Sequence, residues 1–198
     1  LLASAYSYPP LRVVAPLLLV GMAIWLFRNK LRSKLSTLVS VIVGAVFSVP
    51  LLLFIFSPGA LSRSQDVSAF TYSWIDGIFQ TVLQFFALFD PVTLFVTGDS
   101  NLRHSSGFGG MLGLAGVVGL AYLIFVLWCK KPDKRTNNLA LIACFGVATG
   151  FLGSALTVND HQYLRAVAAW PFFVVLISIG ISKLTESRLK LKYFIVTA

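Results

Sequence analysis

Charge is scarce in this chain: Asp, Glu, Lys and Arg make up 12% of its 198 residues, and only seven residues are acidic. A soluble domain carries about 25% charged residues, so a water-exposed globule is excluded. Cysteine and histidine occur only twice each. Cys129 and Cys144 form neither a disulfide framework nor a ligand spacing, and the two histidines and scattered aspartates lack any coordination pattern. No metal and no cofactor are therefore expected. The chain opens on Leu1 rather than methionine, and no charged n-region or small-residue cleavage site precedes its first apolar run. A signal peptide is thus not expected, and a fragment of a longer polypeptide is.

What is abundant is apolar: 57% of the residues are hydrophobic, and the mean hydropathy is +0.84. Crossing a hydrocarbon core takes about 20 such residues. Five runs qualify, at 11–27, 35–56, 108–129, 139–158 and 164–182, and Tyr193 to Ala198 has the composition of a sixth beginning. Inside lipid each backbone polar group must be satisfied within its own segment, which makes these runs helices. The expected fold is an all-α polytopic membrane protein with about five transmembrane helices.

The net charge of +9 invites a nucleic-acid partner, but the cations fall in short clusters between apolar runs. Arg28, Lys30, Arg32 and Lys34 form one; Lys130, Lys131, Lys134 and Arg135 a second; Lys183, Arg188, Lys190 and Lys192 a third. These twelve of the sixteen basic residues occupy alternate connections, which the positive-inside rule assigns to the cytoplasm. The opposite side holds Arg12, Arg63, Arg103, Arg165, both histidines and five of the seven acids. Nucleic acid is not an expected partner; the bilayer is.

The connection 57–107 lies on that outer side and is too long for a turn. Within it Asp76, Gln80 and Gln84 recur every four residues, while Ile75, Ile78, Phe79, Val82, Phe86 and Phe89 fill the other side. The pattern predicts an amphipathic helix over 74–89 in the outer interface, aromatic side down, ended by Asp90-Pro91. A crossing there would put the cluster at 130–135 outside, against the charge rule. Gly109, Gly110, Gly113, Gly116 and Gly119 in one run, and Gly146, Gly150 and Gly153 in the next, predict small faces for close helix approach. Pro16, Pro50 and Pro171 all fall toward outer helix ends, where kinks would splay the bundle.

No ionisable residue occupies the middle of any run, which weighs against a proton- or ion-coupled transporter. Polar chemistry gathers instead at the outer boundary, where a lipid phosphate sits. Asp99, Arg103 and His104 fall within six residues, and His161 and Arg165, four apart, share a face at a helix start. Arg12, Arg103 and Arg165 are candidate phosphate ligands, each charge-assisted bond contributing about 1.5–3 kcal/mol. His104 and His161 add donors or a proton near neutrality. Asp99 is a candidate acid or base, or the partner of Arg103. The alternative is a snorkelling set of interface arginines beside a salt-bridged loop.

The segments Tyr6-Ser7-Tyr8-Pro9-Pro10-Leu11-Arg12 entering a span, Gly98-Asp99-Ser100-Asn101-Leu102-Arg103-His104 before the glycine-rich run, and His161-Gln162-Tyr163-Leu164-Arg165 with Pro171 beyond it resemble the GT-C superfamily of membrane glycosyltransferases. The likeness is to the protein-mannosyltransferase and aminoarabinose-transferase type. It implies transfer of a sugar from a polyprenyl-phosphate donor to a protein or glycolipid acceptor, at the outer face of a bacterial plasma membrane. It also implies that Arg12, Arg103, His104, His161 and Arg165 line the donor phosphate pocket. That family carries its catalytic acids in a first external loop, which this chain lacks ahead of its first span. The base is therefore expected upstream of Leu1, and the fragment alone is expected to be inactive. The rival expectation is a non-catalytic transporter subunit or a scaffold that binds lipid head groups.

Overall fold

A computed structural model describes residues 11–28, 39, 42–43, 46, 49, 53, 69–70, 73–99, 109–130, 132–157, 163 and 165–197; for 11–13, 26–28 and 188–197 the backbone alone is described. Among the described residues the chain is helical and holds no strand. Its elements are α1 (Leu11–Arg28), α2 (Trp74–Ala87), a π turn (Thr93–Thr97), α3 (Gly113–Cys129), α4 (Lys134–Ala155), a 3-10 turn (Val167–Ala169) and α5 (Trp170–Thr197). Two stretches, Lys134–Ala155 and Val167–Ser187, are long and apolar enough to cross a membrane; α3 and Val14–Trp25 are shorter apolar helices.

The chain divides into two compact units, one of Leu1–Leu88 with Ala148–Ala168, the other of Phe89–Val147 with Ala169–Ala198. In the second unit α3 and α5 pack side by side. Gly116 lies against Ile177, Gly119 lies against both Ile177 and Gly180, and Asp133, just beyond α3, pairs with Lys183 at 3.5 Å. The register advances in the same direction along both helices, so they run parallel. Their approach needs hydrogen in place of a side chain: a Cβ on Gly119 would sit 2.8 Å from the Ile177 carbonyl oxygen, and one on Gly180 would collide with the Gly119 carbonyl. Glycine at both positions is thus what lets the backbones meet.

The outward face of α3 is as apolar as the inward one. Gly116, Gly119, Leu123 and Val126 are buried, whereas Leu114, Val118, Ile124, Phe125 and Trp128 recur at helical spacing and stay exposed. Only 22% of the apolar window of α5 is buried, unlike the core helix of a soluble protein.

The first unit repeats this arrangement. Val14, Ala15 and Leu18 of α1 are buried, and Val20, Met22 and Ile24 face out. Val39, Ile42, Val43, Val46, Val49 and Leu53 are helical and all exposed. Helix α2 starts at Ser73, whose hydroxyl accepts from the Asp76 N–H at 3.5 Å. It buries its narrow edge, Gly77 and Thr81 with Leu88 beyond the last turn, and turns Ile75, Ile78, Phe79, Val82 and Phe86 outward. Phe70 closes over Gly77, where a Cβ would come within 2.9 Å of the Ala69 carbonyl oxygen. The Thr81 hydroxyl donates to the Gly77 carbonyl at 2.7 Å, and the Ala69 N–H donates to Leu156 at 3.1 Å beside the end of α4.

Several boundaries depart from expectation for local reasons. Helix α4 begins at Lys134 rather than 139, because Asp133 caps it: its carboxylate accepts the Thr136 N–H at 3.1 Å and the Thr136 hydroxyl at 2.6 Å. Helix α5 begins at Trp170 rather than 164 and continues through 183–192, expected as a connection, to Thr197. Residues 181–197 contain no glycine or proline, and Lys, Leu, Arg and Glu are good helix formers. The start of a sixth run at Tyr193 is therefore the end of the fifth helix. Pro171 lies in the first turn of α5, where its missing N–H is not needed, so it introduces no kink; Pro16 lies inside α1, and Pro50 lies outside the described residues. Gly109 and Gly110 precede α3 instead of lining it.

Candidate functional site

The segment from Asp90 to Asp99 is built by its own side chains. One carboxylate oxygen of Asp90 accepts the Thr93 N–H at 2.9 Å and the Thr93 hydroxyl at 2.6 Å, and the other accepts the Val92 N–H at 3.3 Å. This starts the chain winding at Pro91. A single π turn follows, closed where the Gly98 N–H donates to the Thr93 carbonyl at 3.0 Å. Gly98 has φ 75°, a conformation that favours glycine. The turn is pinned to the start of α3, where the Leu112 N–H donates to the Leu94 carbonyl at 2.8 Å and Gly110 presses on the Phe95 backbone. Asp99 emerges from it buried, at 6% exposure. Single π turns recur at functional sites, and a carboxylate held out of solvent is costly unless its surroundings stabilise it.

In the first unit the polar interior gathers at the end of α4. Tyr163 is fully buried; its hydroxyl donates to the Leu88 carbonyl at 3.4 Å and its own carbonyl accepts the Ala166 N–H at 3.1 Å. Gln84, with its amide oriented to face the carbonyls around it, donates to Thr157 at 2.6 Å and to Ala155 at 3.2 Å. It satisfies carbonyls that the end of α4 leaves without helical partners. The expected stripe of Asp76, Gln80 and Gln84 is therefore split: Asp76 and Gln80 are exposed, whereas Gln84 packs inward. Arg165 is half-buried, and its Nη1 is shielded from solvent with no hydrogen-bond partner among the described residues. A shielded guanidinium nitrogen lacking an acceptor favours an anion beside it. A groove of about 300 Å³ in the same unit, walled by Val82, Phe85, Phe86, Ala148 and Leu152 with the two threonines Thr81 and Thr149, opens between α2 and α4.

Of the residues singled out from the sequence, Asp99 and Arg165 are described, and they belong to different units. Arg12 is in the first turn of α1, with its backbone alone described; Arg103, His104 and His161 lie outside the described residues. Tyr163 and Gln84 were not singled out as interior polar anchors. A one-dimensional stripe shows that Gln84 sits on a polar edge, not which edge another helix covers.

At the far end of α3 sits the second polar cluster. Hydrogen bonds from the Thr136 hydroxyl and N–H, reinforced by Lys183, hold the Asp133 carboxyl down at about 2. Lys183 also pairs with Glu186 at 3.1 Å. Lys183, the first cation of the third basic cluster, thereby reaches Asp133, which lies within the second. The chain matches no family model, no curated protein and no solved structure.

Proposed function

We propose that the chain is the membrane-embedded part of a GT-C-type glycosyltransferase that moves a sugar from a polyprenyl-phosphate donor to a protein or glycolipid acceptor at the outer face of a plasma membrane. On this reading it spans the bilayer five times, with α2 lying in the outer interface. The outward apolar faces of α1, α3 and α5 support embedding, since water would leave them exposed at a cost of about 25 cal/mol per Å². The Asp133–Lys183 pair, which ties the basic connection after α3 to the first cation of the third cluster, supports a common cytoplasmic end.

The observation that carries the phosphate assignment is Arg165, whose Nη1 is buried without an acceptor among the described residues. A lipid phosphate at the outer boundary supplies that acceptor. As the glycosidic bond to the phosphate breaks, negative charge grows on the leaving oxygen, and a guanidinium held beside that oxygen stabilises it without reorganising. Arg12, Arg103, His104 and His161 complete the pocket in this proposal, and Asp99 orients Arg103.

In the full-length protein, Arg165→Ala and Arg103→Ala are each expected to lower sugar transfer tenfold or more at normal expression, about 1.4 kcal/mol of transition-state stabilisation. Arg165→Lys should recover only part, because an ammonium lacks the two-pronged donor geometry. Wild-type turnover in both alanine variants would overturn the pocket. Retention of the lipid by the wild-type protein without any transfer would favour the head-group-binding scaffold instead.

A further inference from the structure

We propose that Lys130, Lys134 and Arg135 form a binding site for the phosphate of an anionic phospholipid in the leaflet adjoining that end of the second unit. All three side chains are exposed. The one carboxylate among them, Asp133, is already occupied: both of its oxygens accept from Thr136, and one of them faces Lys183. Glu186 is paired with the same lysine. Among the described residues no carboxylate lies in salt-bridge range of Lys130, Lys134 or Arg135. Among the described residues these cations thus have no carboxylate partner, and their charge is complementary to an anion.

The depth of the cluster selects a lipid over a dissolved ion. Lys130 folds back along α3, its ammonium 5.7 Å from the ring centre of Tyr122, 5.4 Å from that of Phe125 and 3.3 Å from the Tyr122 hydroxyl. Cation–π attraction holds it at the rim of the apolar face. Trp128, 86% exposed, marks the same level, where tryptophan and lysine collect at membrane boundaries. From there the exposed stripe runs back through Phe125, Ile124 and Val118 to Leu114. A hydrocarbon tail laid on the stripe with a phosphate at the cations satisfies both features, whereas free phosphate satisfies one.

The inference rests on the bilayer-embedded reading and is independent of sugar transfer. The test uses full-length protein in a non-ionic detergent, with retention of phosphatidylglycerol and phosphatidylcholine of identical acyl chains compared by native mass spectrometry. The wild-type protein is expected to favour phosphatidylglycerol, and Lys134→Gln to reduce that preference about fivefold, the effect of one cation at a membrane surface. The triple glutamine variant at Lys130, Lys134 and Arg135 is expected to lose it, and Lys134→Arg to keep it. If the triple variant loses its helical circular dichroism, the single Lys134→Gln at its exposed position decides the question. Equal retention of the two lipids by the wild-type protein overturns the site. Displacement of the lipid by glycerol phosphate at equal concentration overturns its lipid character. Recovery of the protein in the supernatant after an alkaline membrane wash overturns the embedding itself, a failure separate from the other two.

Discussion

At Asp133 a single carboxylate serves two helices, capping the first turn of α4 while pairing with Lys183 of α5. Its folded pKa, about 2, lies below the ordinary 3.8. A carboxyl depressed on folding contributes stability that is complete above the unfolded value and disappears as pH falls through the folded one. Asparagine keeps a capping oxygen but removes the charge. Asp133→Asn is therefore expected to melt below the wild-type protein between about pH 4 and 7, and the gap to close as the pH falls toward about 2. Thermal melts across that range decide it, and a gap that does not vary with pH contradicts the assignment. Capping by Asp90 and Asp133 was within reach of residue-type reasoning, because aspartate ahead of a helix start is a common cap. The shielded Nη1 of Arg165 was not, since burial of one nitrogen depends on packing from residues distant in sequence.

Between α3 and α5, glycine meets glycine. A side chain at Gly180 would drive into the Gly119 carbonyl, and backbone cannot move aside as a flexible side chain does. Gly180→Leu is expected to destabilise the second unit by about 1–3 kcal/mol, the usual cost of overpacking. Gly109→Ala meets no atom within 4 Å but suffers a φ of 88°, so strain alone acts there. An unchanged melting temperature for Gly180→Leu would contradict the parallel register. Ile124, 59% exposed near the middle of α3, separates water from lipid as the surrounding medium. In water Ile124→Lys would change stability by less than about 0.5 kcal/mol. In hydrocarbon a lysine costs about 2.5–3.5 kcal/mol at mid-helix. Reduced membrane insertion of Ile124→Lys, measured by protease protection, is the expected result, and wild-type insertion would argue against a lipid-facing α3. Apolar runs made most helices legible: the run 11–27 meets α1 at Leu11–Arg28, and the amphipathic stretch 74–89 meets α2 at Trp74–Ala87. The length of α5 and the π turn escaped for opposite reasons. A basic cluster read as a connection is also a good helix former, and a single π turn leaves no periodic trace in so short a segment.

For the whole molecule, the account depends on which compartment each connection faces. Gly98 to Gly107, with Asp99, Arg103 and His104, must face away from the basic clusters if a lipid-linked donor is to be used on the outer side. Of that candidate site the sequence exposes the residue types and their spacing. It leaves their mutual distances open, because they come from connections far apart along the chain. Sidedness is measurable without knowing the sugar. Cys129 and Cys144 are both exposed and would be replaced by serine first. Thr136 is a poor reporter, being buried with its hydroxyl on Asp133, but Asn137 beside it is exposed. In intact cells a membrane-impermeant maleimide should label Ser100→Cys and leave Asn137→Cys unmodified until the membrane is opened. Labelling of Asn137→Cys in intact cells with Ser100→Cys protected would invert the orientation and contradict an outward-facing phosphate pocket.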